Sequence, residues 1–524
     1  MDYLKEFTYC LSALFTVVYG LVSCSTYDDV VIKEGKSRLH FSSFGFFKDN
    51  NPSLMSDYVL NDIKDDTLSF FIHELSDATA LIPQYTGNFK IVTQGGAVLE
   101  SGKTIQDYST ILKYHFEGLD GMIDSCFVKV LIGNGIPRID IITENNAEIV
   151  SKQDYINATI RISNNPEVGI IKDDHLRIRG RGNASWNHPK KSFKIKFSEK
   201  QRPFGFPANK DWVLLGNYTD RSLLRTSYMC EVSRALDIKY TVNVQHVDLF
   251  LNGDYQGTYL FSDHIEKGQK RVNINDDGFF IEGDNYYQYE PLFFVTDSFK
   301  IGMTFKYPDP DKGQIKEGDE IFCFIQDYMN RVEKAMMDIP NGGRDYLGLI
   351  DSRSFAKFII AEEVLANFDS NFYYILSTKD SKLEMYPLWD FEWSLGLGEI
   401  DEKGWVARPA TPRVDVTYWD WIYPYTMYLY HDPAFVALLQ EEWVRLKSHL
   451  EEIKINISSI KEFLRYSQKD NFKKWPILNT YVSKELVVLG DWEKEVDYIN
   501  DFFGKRTQWF DNYIMNELPI KYNK

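Results

Sequence analysis

Between residues 176 and 197 the chain alternates twice between apolar and basic side chains, and this pattern constrains the fold more than any other. In Leu176-Arg177-Ile178-Arg179 the apolar residues share one face and the arginines the other. Gly180, Arg181, Gly182 and Asn183 interrupt the alternation. It resumes in Phe193-Lys194-Ile195-Lys196-Phe197, with three residues for a core and two lysines opposite. A period of two fits half-buried strands. A glycine turn followed by a lysine-bearing strand is also a layout for holding a polyphosphate. The glycines let backbone N–H groups approach, and the lysines supply fixed charge. A solvated edge-strand face shows the same alternation.

Strand patterns dominate residues 137–305 and helical patterns follow from about residue 315, which predicts an α+β body. Asp220 can cap a helix whose buried stripe is Leu223, Leu224, Tyr228 and Leu236, and which carries Arg225 and Glu231. Asn252-Gly253 between alternating runs predicts a hairpin. In the helical half, Asp351 opens a helix lined by Phe355, Phe358 and Ile359, which breaks at Asn367-Phe368-Asp369-Ser370-Asn371. Two strands joined by a turn at Lys379-Asp380-Ser381 then lead into Trp389-Asp390-Phe391-Glu392. If those strands pair, Asp369 and Asp390 end on the same side. Phosphoryl transfer needs such a pair: one carboxylate for the attacking hydroxyl and another, with an amide oxygen, for magnesium.

The first residues read as a sorting device. Lys5 precedes an apolar run over 9–22, short for a membrane span and suited to a signal-peptide core. The run ends Leu21-Val22-Ser23-Cys24, which resembles the lipobox of bacterial lipoproteins and implies lipidation at Cys24. Acyl chains anchor through about 0.8 kcal/mol per buried methylene. The expected location is the cell envelope, lipid-anchored to the outer membrane, periplasmic or surface-exposed. Ser25-Thr26-Tyr27-Asp28-Asp29 resembles a surface-export signal and reads equally as a solvated linker. The formal net charge of −17 over 524 residues argues against nucleic-acid binding, which needs clustered cations. Cys126, Cys230 and Cys323 fit no zinc or disulfide spacing and are expected to be buried free thiols.

Residues 37–136 have the texture of short strands with turns at Gly87-Asn88, Gly95-Gly96 and Gly133-Asn134-Gly135, which predicts an immunoglobulin-like β-sandwich. Residues 411–524 predict an α-helical extension. Trp and Tyr crowd its first part, as helix core or as a flat contact surface for a glycan or peptide. The expected organisation is a signal peptide over 1–23, a linker over 24–36, the sandwich over 37–136, a main domain over 137–410 and the extension over 411–524.

The main domain resembles the CotH family of atypical, protein-kinase-like phosphotransferases. The resemblance rests on an ordered set: Arg179-Gly180-Arg181-Gly182-Asn183-Ala184-Ser185-Trp186, the Lys190-Lys191 strand, Lys210-Asp211-Trp212, Asp220 to Arg225, the hairpin around Asn252-Gly253, and Arg271-Val272-Asn273-Ile274. It implies a two-lobed kinase-like core with a strand-rich first lobe and a helical second lobe. It further implies ATP as substrate and Mg2+ or Mn2+ as cofactor, with hydroxyls of an envelope or secreted protein as acceptor. Asn367-Phe368-Asp369 matches the family's catalytic-loop position and Trp389-Asp390-Phe391-Glu392 its metal-binding position. Asp369 is thus implied as catalytic and Asp390 as metal ligand, with Asn371 and Glu392 as helpers. Arg179, Arg181, Asn183 and Lys194 or Lys196 are expected at the nucleotide, with Glu231 pairing the strand lysine. Glu392 stands where many relatives have Asp, and the stretch between Asp369 and Phe372 is short.

Two other readings use the same residues. Nucleotide is scarce outside the cytoplasm, which favours a surface lipoprotein that keeps the scaffold as an inactive binding or structural module. A glycoside-active enzyme using Asp369 and Asp390 would leave the lysine strand unexplained.

Overall fold

The computed structural model describes residues 39–524 apart from 55–56, 62, 64–65, 74–75, 134, 164–169, 285, 368–371, 398–422, 483–484, 486 and 523–524. The leader, Cys24 and the linker therefore lie outside the described residues, as do Asp369, Asn371 and the first part of the aromatic run.

Among the described residues eight strands come first: β1 (Phe41–Phe46), β2 (Tyr58–Asn61), β3 (Thr67–His73), β4 (Gln84–Gly87), β5 (Ile91–Gln94), β6 (Ala97–Val98), β7 (Leu112–Glu117) and β8 (Ile123–Gly133). They form two sheets, ordered β2-β1-β4 and β3-β8-β7-β5-β6, with β3 and β8 parallel. Alternation does the sorting. Leu112, Tyr114 and Phe116 of β7 point inward and join Phe41, Phe44, Phe70 and Tyr85 in one core.

The next seven strands close into a barrel. They are β9 (Arg138–Thr143), β10 (Ile156–Ser163), β11 (Ile171–Arg181), β12 (Ser192–Gln201), β13 (Asn209–Leu215), β14 (Val244–Leu251) and β15 (Asp254–Asp263). Their order is β10-β11-β12-β13-β15-β14-β9, and the parallel pair β14–β9 completes the ring with β10. Leu176, Ile178, Phe193, Ile195 and Phe197 fill the interior with Trp212 and Phe261, so Arg177, Arg179, Lys194 and Lys196 take the outer face. Asn252 (φ 52°) and Gly253 (φ 85°) make the β14–β15 turn, where both central residues need the left-handed region.

A second five-stranded sheet draws on both halves of the body. Its order is β17-β18-β16-β19-β20, from β16 (Phe279–Gly283), β17 (Phe293–Val295), β18 (Gly302–Tyr307), β19 (Phe372–Leu376) and β20 (Glu384–Met385). β20 is only two residues long, and Pro387 just beyond it has no N–H to give to a ladder. The division into strand-rich and helical halves is thus crossed by the β16–β19 pairing.

Among the described residues there are ten helices: α1 (Arg225–Ala235), α2 (Glu320–Met337), α3 (Tyr346–Leu349), α4 (Ser352–Leu365), α5 (Tyr423–Leu429), α6 (Pro433–Lys447), α7 (Leu450–Leu464), α8 (Ser467–Lys474), α9 (Trp492–Asn512) and α10 (Leu518–Tyr522). The C-terminal helices share one apolar core with α1 and α4, in which Trp443, Trp492 and Phe503 join Tyr228 and Phe358. A fully buried ion pair, Arg506 to Glu363 at 2.7 Å, ties α9 to α4. Arg221 is equally buried and meets Glu485 at 2.9 Å. Cys126 and Cys230 are buried free thiols, whereas Cys323 is exposed, because α2 turns that position outward. Among the described residues no helix is long and apolar enough to cross a membrane.

Candidate active site

The outer face of β11 and β12 carries two rungs of like charge. Arg177 lies directly opposite Lys196, and Arg179 opposite Lys194. Like charges in that register repel. Asp211 on β13 offsets part of this, standing 3.6 Å from both Lys194 and Lys196. Tyr155 supports the two guanidinium groups, at 5.3 Å from Arg177 and 5.1 Å from Arg179. The buried Nε of Arg179 has no hydrogen-bond partner. Burial lowers the Lys194 amine to about 8, against the opposing pull of Asp211 and Glu266.

The ladder ends at the Trp-Asp loop. The Arg181 guanidinium lies 5.6 Å from the centre of the Trp389 ring. Burial draws Arg181 below the ordinary guanidinium range, and Asp390 is the foremost charge opposing that shift. Asp390 is exposed and holds a left-handed backbone (φ 63°), a conformation that costs free energy outside glycine and gathers at functional sites. His264 follows β15 and is kept neutral first by burial and then by Lys194, Arg181, Arg271 and Lys306 around it. Lys306 pairs with Glu282 at 2.5 Å, and the hydroxyl of Tyr373 is held protonated by burial and by Glu282. Lys194, Arg181, His264, Tyr373 and Asp390 therefore belong to one electrostatic neighbourhood between the barrel and the second sheet.

Several expected participants have other partners. Glu392 is half-buried and already engaged: its carboxylate accepts the Thr219 N–H at 2.8 Å and the Thr219 hydroxyl at 2.5 Å. Trp393 Nε1 donates to the same hydroxyl at 3.2 Å, and Arg225 Nε donates to the Ser394 carbonyl at 2.7 Å. Arg225 is itself held by Asp220 at 2.6 Å. The segment after Asp390 is thus clamped by the connection from β13 to α1. Glu231 does not pair with a strand lysine: it binds Arg234 on its own helix and accepts from Asn456 of α7 at 2.7 Å. Asn183 accepts from Lys152 at 3.4 Å. The glycine turn is not an open cradle. A Cβ on Gly180 would sit 2.2 Å from the Trp186 ring, and the Gly180 N–H already donates to Ser151.

Lys190 was not singled out by the alternation, because it precedes the strand. It is buried, donates to the Thr258 carbonyl at 2.5 Å and to Asn471 at 2.9 Å, and burial lowers it to about 7. Tyr155 and His264 were also missed: neither sits in an alternating run.

The donor set fits a polyphosphate, since repelling cation pairs and an orphaned guanidinium N–H both ask for an anion. For a metal ion the described residues supply Asp390, and among them no group of three or more His, Cys, Asp or Glu gathers to hold one.

Fold and site together define a mixed α+β protein in which a cationic barrel face abuts a Trp-Asp loop. Residues 177–510, roughly two thirds of the chain, match the family model described as CotH kinase protein, and the chain belongs to the CotH kinase family. The match opens at Arg177, the first cation of the ladder, and runs through most of α9. No curated protein matches the sequence.

Proposed function

We propose that this chain transfers the terminal phosphoryl group of ATP to a hydroxyl of an envelope or secreted protein. The observation that carries the reading is the meeting of Arg181 with Trp389 and Asp390, which puts the cationic ladder beside the family's metal-binding position. Arg181, Arg179 and Lys194 would hold the phosphates, as point charge and fork-shaped donors. Asp390 would hold Mg2+ or Mn2+, and the metal when bound would neutralise charge on the transferring group. Asp369, by its place in the family motif, would take or orient the proton of the acceptor hydroxyl. Thr219, Glu392 and Arg225 would keep the Asp390 loop in place.

A second reading, a binding module that does not turn over, is favoured by Asp211, which already engages both strand lysines. Incubation of the purified chain with labelled ATP, Mg2+ and an envelope extract separates the two. Label transfer to protein that disappears in Asp390→Ala supports the enzyme; ATP binding or its absence without transfer supports the module. Anchoring through Cys24 in the outer membrane remains part of the proposal and is tested by metabolic labelling with a fatty acid, compared with Cys24→Ser.

A further inference from the structure

The ladder is longer than a nucleotide needs. Arg177, Arg179 and Arg181 occupy alternate positions of β11, so the outer rung lies four strand residues from the rung beside Asp390. At about 3.3 Å per residue this is about 13 Å. The phosphates of one nucleotide engaged at Arg181, Arg179 and Lys194 leave the outer rung, Arg177 opposite Lys196, without an anion. The nucleoside end brings none. Arg177 is exposed, stacks on Tyr155 and forms no ion pair with a described residue. Lys196 shares its one carboxylate, Asp211, with Lys194. Two cations held in register at a cost, on a chain whose formal net charge is −17, are not a by-product of basic composition.

We infer that the outer rung, Arg177 with Lys196, binds a phosphoryl group already present on the acceptor polypeptide, about four residues from the hydroxyl being modified. A dianion matches two cations better than a single carboxylate does, and the guanidinium fork matches its oxygens. An extended acceptor running parallel to β11, beside the bound nucleotide and not over its rungs, would span from the outer rung to Asp390 with that spacing. The inference rests on the phosphotransfer reading for its meaning, but its test needs no turnover.

The experiment measures binding of three fluorescent peptides to the full chain without ATP. One carries a phosphoserine four residues from an acceptor serine, one carries glutamate there, and one carries serine at both places. The phosphopeptide is expected to bind about tenfold more tightly than the unmodified one, and Arg177→Gln should remove that advantage while leaving ATP affinity unchanged. Equal binding of all three peptides, an advantage that survives in Arg177→Gln, or a glutamate peptide that equals the phosphopeptide would each overturn the assignment. If the phosphopeptide preference holds but labelled ATP gives no transfer, the subsite stands and the enzyme reading falls.

Discussion

Arg181 at the end of β11 stacks against Trp389, the residue that precedes Asp390, with 5.6 Å between guanidinium carbon and ring centre. Under the proposed function a side chain in that position would serve both partners of the transfer, facing the phosphate donor while it braces the loop that carries Asp390. Arg181→Ala should weaken ATP affinity about tenfold, because a charge-assisted contact in a desolvated setting is lost. The lost stacking costs about 0.5–1 kcal/mol, so the melting temperature should move little. Arg181→Lys should restore part of the affinity, since a lysine keeps the charge and loses the planar fork. Calorimetric titration with ATP on the three proteins checks this.

Glu392 separates a metal ligand from a structural clamp. Its carboxylate accepts two bonds from Thr219, and burial raises its pKa against those bonds. Glu392→Gln should cost about 1–3 kcal/mol of stability by disturbing a half-buried, doubly hydrogen-bonded carboxylate. It should leave Mn2+ affinity, read by electron paramagnetic resonance, at the wild-type value. A loss of Mn2+ binding equal to that in Asp390→Asn would return Glu392 to the metal.

The sequence pattern places Gly180 in a phosphate-binding turn, and the structure gives it a different reason. The Trp186 ring occupies the space where a Cβ would stand. Gly180→Ala should therefore destabilise the fold by about 1–3 kcal/mol through overpacking. Adding Trp186→Leu should recover most of that loss, as thermal unfolding of the single and double substitutions would show. A phosphate cradle would behave otherwise, losing ATP affinity at constant stability.

The strands and their faces were legible because alternation is a local signal. Phe193, Ile195 and Phe197 entered the barrel core, and the lysines between them took the outside. Closure of the barrel through the parallel β14–β9 pair was not legible, since it joins segments about a hundred residues apart and no turn residue marks it. The clamp on Glu392 was hidden for the same reason: Thr219 is remote in the chain and carries no motif meaning by itself. Lys190 was hidden differently. Its neighbours Lys191, Lys194 and Lys196 mark a basic surface, and nothing local says that this one lysine is buried against Thr258 and Asn471.

Lys194 gives the site a pH dependence of known sign. Burial depresses its amine to about 8, below the ordinary lysine range near 10.4. The folded state therefore disfavours the charged form, and its contribution to stability improves as pH rises from about 8 toward 10.4. ATP affinity should run the other way, falling as pH rises through about 8 while the amine loses its charge. Lys194→Arg, which stays charged, should flatten that fall. ATP titrations at fixed ionic strength between pH 7 and 9.5 would show the difference.

The most direct measurement is phosphate transfer itself. The purified chain is incubated with ATP labelled at the terminal phosphate, Mg2+ and envelope protein, beside Asp390→Ala at equal folded concentration. The account predicts label on serine, threonine or tyrosine hydroxyls with the wild-type chain and none with Asp390→Ala. Label that persists in Asp390→Ala, or wild-type protein that binds ATP and never transfers it, would contradict it.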